Sequence, residues 1–176
     1  MQLVAHSVGT WIGYEFLQAC HAAGIPPPRA VFLSAMPAPT IPFPDRPWRQ
    51  QRTLNEDDFK EECRGWDISE VVFSAAMWPT YHPLLRADFT IFDEYEYTHK
   101  SAEPLRCPLH TFWGTRDRRV KENHVQMWQK LMASGEFSCE AVEGNHLWPM
   151  DKAAKAHWLG RIAEELEKLN KSGRLR

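Results

Sequence analysis

Three short stretches of this sequence carry side chains that together can attack a carbonyl. The first is Met1-Gln2-Leu3-Val4-Ala5-His6-Ser7-Val8-Gly9-Thr10, where a brief apolar run reaches a serine with Ala5 two positions before it and Gly9 two positions after. A helical pattern follows at once. The spacing predicts a sharp strand-to-helix turn that lifts the Ser7 hydroxyl clear of the backbone, and a crowded turn of this kind demands small residues at the two flanking positions. The second stretch, Gly114-Thr115-Arg116-Asp117, follows an apolar run ending at Trp113, and the third, Gly144-Asn145-His146, follows one ending near Val142. A serine hydroxyl is a weak nucleophile until a neighbouring base takes its proton. His146 is the candidate base, and Asp117 the carboxylate that would fix its tautomer and stabilise the imidazolium. The Val8 N–H, just past the turn, is a candidate donor to the oxyanion that forms. A lone Gly-x-x-Asp is ordinarily a turn, and a histidine beside Trp148 and Pro149 is ordinarily structural. The joint placement of all three after successive strands, in the order serine, acid, histidine, carries the reading. Asp88 and Asp93 are rival acids, but neither follows a strand.

The elements needed to position these residues can be read from periodicity. Leu3 to Ala5 end a strand, and residues 10–23 read as a helix with Trp11, Ile12, Phe16, Leu17 and Cys20 at helical spacing and Gly24 beyond its end. After three prolines, residues 30–34 form an apolar run suited to a buried parallel strand, which completes a βαβ unit. Residues 36–48 are proline-rich and without period. Residues 54–97 then interrupt the alternation with short helical patterns, so an insertion over about residues 50–100 is expected to act as a lid. Alternation resumes with a strand over 108–113, an amphipathic helix over 121–133, a strand over 137–142 and a terminal helix over 151–169. That helix carries Trp158, Leu159, Ile162, Leu166 and Leu169 on its expected apolar face. The fold class is α/β, a mostly parallel sheet with flanking helices in a single domain over 1–176.

Composition narrows the partners. A chain of 176 residues, 43% hydrophobic and 25% charged, can bury a core without disulfides, and its formal charge of −2 favours neither nucleic acid nor an anionic membrane. Cys20, Cys63, Cys107 and Cys139 are scattered and read as free thiols, mostly buried, in a reducing compartment such as the cytoplasm. The remaining histidines lack the spacing that one helix face needs to hold zinc, so no metal is expected. No apolar run reaches the roughly 18 residues of a membrane span.

With these motifs in place, the sequence resembles the type II thioesterases that accompany polyketide, nonribosomal-peptide and fatty-acid synthases, enzymes of the α/β-hydrolase fold. Ala5-His6-Ser7-Val8-Gly9 is similar to the family's G-H-S-M-G, and Val31 to Pro39 to its strand ending in S-G-R-x-A-P. Pro83-Leu84-Leu85-Arg86-Ala87-Asp88-Phe89, followed by Tyr95 and Tyr97, resembles its P-x-L-R-A-D-F run, which is the most specific of the matches. Cys107-Pro108, Gly114 to Asp117, Trp128 and Gly144-Asn145-His146 also fall in register. The resemblance implies hydrolysis of an acyl thioester on the phosphopantetheine arm of an acyl or peptidyl carrier protein through an acyl-serine. It implies a monomer with no cofactor, and lid residues such as Trp78, Leu84, Leu85 and Phe89 lining an apolar channel for the acyl chain. The family also carries further strands and a second oxyanion donor ahead of the nucleophile turn. The residues preceding Ser7 supply neither, so the chain is expected to be the C-terminal part of such a domain, truncated at its N-terminus. Loss of one oxyanion donor costs on the order of a hundredfold to a thousandfold in turnover. A catalytically inactive fragment acting as a binding module, and a general carboxylesterase or lipase of the same fold, remain as alternative readings.

Overall fold

In the computed structural model, residues 1–99, 101–133 and 135–171 are described. The chain forms two compact units, one from Met1–Ala38 with His99–Arg176 and the other from Pro39–Thr98.

The first unit is built on a four-stranded parallel sheet in the order β1 (Leu3–His6), β2 (Val31–Ser34), β3 (Leu109–Gly114) and β4 (Phe137–Val142). Register pairs Ala5 with Leu33, Leu33 with Thr111 and Thr111 with Cys139. All three strand ends that precede the candidate residues therefore lie along one edge of the sheet. In open α/β sheets this C-terminal edge is where chemistry is placed. Every residue of β2 is buried, as expected of a parallel strand covered on both faces. One face packs Phe32 and Phe112 against Trp158, Ile162 and Leu169 of α5 (Lys152–Lys171). Leu159 falls outside that contact and is 49% exposed, a departure from the expected apolar face.

The helix α1 (Gly9–Ala22) buries Trp11, Tyr14, Leu17 and Cys20. Large apolar side chains buried in this way contribute about 1.5–3 kcal/mol each. The expected stripe included Ile12 and Phe16, yet both are about half exposed. An i, i+3 stripe starting at Trp11 faces the sheet, and Ile12 and Phe16 lie a helical step to its side. The helix expected over 121–133 is instead the short α4 (Glu122–Gln126) tightening into a 3₁₀ turn over Met127–Leu131. Two bonds account for the change. The fully buried Trp128 donates Nε1–H to the Met36 carbonyl at 2.9 Å, and the Leu131 carbonyl accepts from Leu105 N at 2.8 Å instead of from the next helical turn. All four cysteines are free thiols, three of them buried.

The second unit contains α2 (Glu56–Gly65) and α3 (Trp78–Asp93) with short 3₁₀ turns. Asn55 caps α2 by accepting from Asp58 N at 2.9 Å, and Glu56, Asp57 and Asp58 complement the positive end of the helix dipole. Its core is aromatic: Phe89 meets Phe59 edge-on at 5.2 Å, and Trp48, Trp66 and Phe92 pack ring against ring. Arg86 lies over the Phe59 ring at 4.0 Å and donates to the Gln51, Leu54 and Asn55 carbonyls. Arg46 donates to the carbonyls of Phe92, Asp93 and Tyr95.

Candidate active site

Ser7 sits between β1 and α1 with φ of 53°, a left-handed conformation uncommon for a residue with a Cβ. The turn is secured on both sides. Ser7 N donates to Ser34 O at 2.8 Å, while Ser7 O accepts from Thr10 N at 2.9 Å and from Thr10 Oγ1 at 2.8 Å. Crowding at Gly9, expected from the sequence, is not found. Gly9 already has helical backbone, and a Cβ built there would have no atom within 4 Å. Among the described residues the Val8 N–H has no hydrogen-bond acceptor, so it remains available at the N-terminus of α1.

The other two groups come from the ends of β3 and β4. Asp117 is fully buried, and its Oδ1 accepts from the main-chain N–H groups of Arg119 and Val120, each at 2.9 Å. Its Oδ2 lies 2.8 Å from His146 Nδ1, and His146 Nε2 lies 2.8 Å from Ser7 Oγ. A carboxylate can only accept, so Nδ1 carries the proton and Nε2 presents its lone pair to the Ser7 hydroxyl. The arrangement can therefore pull a proton from Ser7 Oγ while holding the resulting imidazolium against a buried carboxylate.

Two glycines let the His146 loop reach this position. A Cβ on Gly114 would come within 2.9 Å of the Gly144 carbonyl and 3.0 Å of the Asn145 carbonyl, so the loop is laid directly on the end of β3. Gly144 adopts φ of +145°, which side chains disfavour, and a Cβ there would strike Trp148 Cβ at 2.8 Å. Arg116 N then donates to Gly144 O at 2.8 Å.

Sequence reasoning assigns no role to His6 or Ser34, and the structure brings both to the site. His6 Nε2 is 2.9 Å from the His146 carbonyl oxygen, and its Nδ1 is 2.9 Å from Ser34 Oγ. The available signals were a histidine directly before the nucleophile and a hydroxyl closing an apolar strand, and neither names a partner. Of the rival acids, Asp93 is committed within the second unit, where its Oδ2 accepts from Gln51 N at 2.6 Å, and Asp88 is exposed. The four lid positions all fall on α3. Trp78 and Phe89 are buried in that unit's own core, Leu85 is half-buried, and Leu84 is 56% exposed. Among the described residues, no group of three His, Cys, Asp or Glu side chains is arranged to hold a metal ion, and no helix is long and apolar enough to cross a membrane.

A strained serine at one strand end, with a histidine and a buried acid at two others of a parallel sheet, defines an α/β hydrolase. The sequence matches the alpha/beta hydrolase family over residues 2–157, and the chain belongs to that family. Its similarity to thioesterases, read first from the motifs, is borne out by its relatives. The probable anguibactin biosynthesis thioesterase AngT of Vibrio anguillarum is 29% identical over 154 residues, covering 83% of this chain and 57% of its own length. The gramicidin S biosynthesis protein GrsT of Aneurinibacillus migulanus is 29% identical over 147 residues, covering 82% of this chain and 55% of its own. Among solved structures, the RedJ thioesterase from the prodiginine pathway of Streptomyces coelicolor superposes with a TM-score of 0.78 at 25% identity, covering 93% of this chain and 59% of that one. The chain thus spans about half the length of the curated relatives it matches.

Proposed function

We propose that this chain carries the catalytic part of a serine thioesterase acting on acyl groups held by the phosphopantetheine arm of acyl or peptidyl carrier proteins. The observation that carries the reading is the unbroken hydrogen-bond chain from Asp117 through His146 to a strained Ser7. In this reading His146 Nε2 takes the Ser7 proton as Oγ bonds to the thioester carbonyl carbon, and the Val8 N–H stabilises the oxyanion. The C–S bond then breaks, and the departing thiolate receives the proton from His146. Water, deprotonated by the same nitrogen, attacks the acyl-serine, and the free acid leaves as Oγ regains its proton. A thiolate is a better leaving group than an amine, so this scaffold suits thioesters. The names of relatives such as AngT and RedJ support the choice of thioester over oxygen ester. The inserted unit would serve as the lid, with Leu84 and Leu85 offering apolar surface to the acyl chain and Trp78 and Phe89 supporting them from within.

The test is fluorophosphonate labelling read by intact mass, with Ser7→Ala as control, followed by hydrolysis of matched thioester and oxygen-ester substrates of one acyl chain. A single adduct lost in Ser7→Ala, with the acyl-pantetheine thioester preferred, supports the proposal. Equal or reversed preference would make the chain a general esterase, and absence of an adduct would remove acyl transfer from this chain.

A further inference from the structure

The reaction scheme leaves His6 unused, although it is mostly enclosed, edge-on to Trp148 at 4.8 Å and tilted against His146 with ring centres 5.4 Å apart. Its hydrogen bonds fix its protonation. The His146 carbonyl can only accept, so Nε2 of His6 must carry a proton. Two schemes then satisfy the other side of the ring. Either Nδ1 is bare and accepts the Ser34 hydroxyl proton, or Nδ1 is also protonated and Ser34 turns its proton to the Ala5 carbonyl, 3.1 Å away. Burial, with the neighbouring His146 adding to it, pushes the His6 pKa down to about 4, which selects the first scheme at neutral pH. Ser34 then orients the ring, and the single N–H of His6 grips the main chain of the base.

That grip answers a geometric problem. Ser7 follows β1 and His146 follows β4, and these strands lie at opposite ends of the order β1-β2-β3-β4. Three strand spacings separate them, about 14 Å at roughly 4.8 Å per step. No ladder bond joins β1 to β4, so sheet pairing alone does not set the Ser7–His146 distance. We propose that His6 is a positioning residue for the base: its Nε2–H, oriented by Ser34, holds the main-chain carbonyl of His146 and keeps that ring within reach of Ser7. The proposal rests on the reading of Ser7 as nucleophile and His146 as base. A misplacement of about 1 Å costs on the order of a hundredfold in rate.

The test compares His6→Gln, whose amide N–H can replace the Nε2 donor, with His6→Phe, which keeps a ring but has no donor, and with Ser34→Ala. Circular dichroism and thermal melting establish that each variant folds. The rate constant for fluorophosphonate capture of Ser7 is expected to fall about 10- to 100-fold in His6→Phe, with the half-saturating probe concentration unchanged. It should return to within a few-fold of wild type in His6→Gln and fall modestly in Ser34→Ala. Equal losses in the Gln and Phe variants, or no loss in either, would overturn the proposal. A second readout does not depend on activity: ¹⁵N-edited spectra of the histidine rings at neutral pH should show His6 protonated at Nε2 and bare at Nδ1. The opposite tautomer would overturn the proposal, since a bare Nε2 cannot bond a carbonyl. If wild-type Ser7 does not react, the acyl-transfer reading falls by itself. The tautomer, with faster amide exchange over residues 143–147 in His6→Phe but not in His6→Gln, then decides the positioning role.

Discussion

Asp117 and Asp93 are both almost entirely removed from solvent, one in each compact unit, and both were candidate acids on sequence grounds. Asp117 uses Oδ1 to accept two main-chain N–H groups and turns Oδ2 to an imidazole that in turn meets a strained hydroxyl. Asp93 accepts from Gln51 N, while its own carbonyl receives Arg46, so its bonds close within the segment that contains it. The difference lies in where the second oxygen leads, not in burial. In the sheet-bearing unit the polar chain ends on a reactive atom. In the inserted unit, polar groups tie loops to helices: Arg46 and Arg86 together donate to six main-chain carbonyls.

The sharpest way to break this comparison is Asp117→Asn. The amide preserves shape, but one of its orientations favours the wrong tautomer of His146, so Ser7 loses its acceptor. A fall in kcat of about 10⁴-fold, with melting temperature little changed, is expected from triads of this type. Asp93→Asn should leave the rate of Ser7 labelling alone, and a comparable loss there would erase the distinction. Next in size is Gly114→Ala. Its Cβ would press on two carbonyls of the His146 loop, main-chain atoms that cannot swing aside. A 10- to 100-fold loss in labelling rate is expected with a stability cost of about 1–3 kcal/mol. Unchanged kinetics would mean that the loop is not held against β3 in solution. Arg86→Ala inverts the pattern. Its loss takes a donor from the Leu54 carbonyl and a second donor from those of Gln51 and Asn55, which keep Leu54 N and Phe59 N, and should destabilise the protein by about 1–3 kcal/mol in chemical denaturation. Labelling of Ser7 by a small fluorophosphonate should not change while the protein remains folded.

The same contrast governs what could be read from the sequence. The Ser7, Asp117 and His146 positions were legible because each follows an apolar strand, and glycines mark the close approaches at Gly114 and Gly144. The sheet was legible for the same reason, its strands being short apolar runs between punctuating residues. The beginning of the inserted unit was not. Residues 36–48 have no period, and the ties that hold Arg46 to residues 92–95 join positions too distant in sequence to leave a pattern. Tightening of the 121–133 helix depends on Trp128 and Leu131 finding partners on other segments. His6 was illegible for a further reason: its partner is a main-chain carbonyl 140 positions away, and every residue has such a group. Trp78 and Phe89, apolar residues that the motif offers for a substrate channel, are buried within their own unit, a packing role that the motif alone does not distinguish.

The last contrast separates the two units by pH. Burial pushes the Asp93 carboxyl up to about 6, against about 3.9 in an unfolded chain. Between those values the folded state holds more protons than the unfolded one, so this group makes stability fall as pH rises from about 4 to 6. His6 works in the opposite sense: its lowered pKa contributes stability that is full above about 6.5 and lost as pH falls towards 4. The raw stability curve mixes both, so the informative quantity is the difference between Asp93→Asn and wild type at each pH. Asn keeps an acceptor for Gln51 N and does not titrate. The variant should therefore gain relative to wild type on going from pH 4 to pH 6, by on the order of 3 kcal/mol at most, followed by urea denaturation. A difference that stays flat over this interval would mean that Asp93 titrates normally and that its burial has no electrostatic consequence. The two buried carboxylates would then differ only in their partners, Gln51 on one side and His146 on the other.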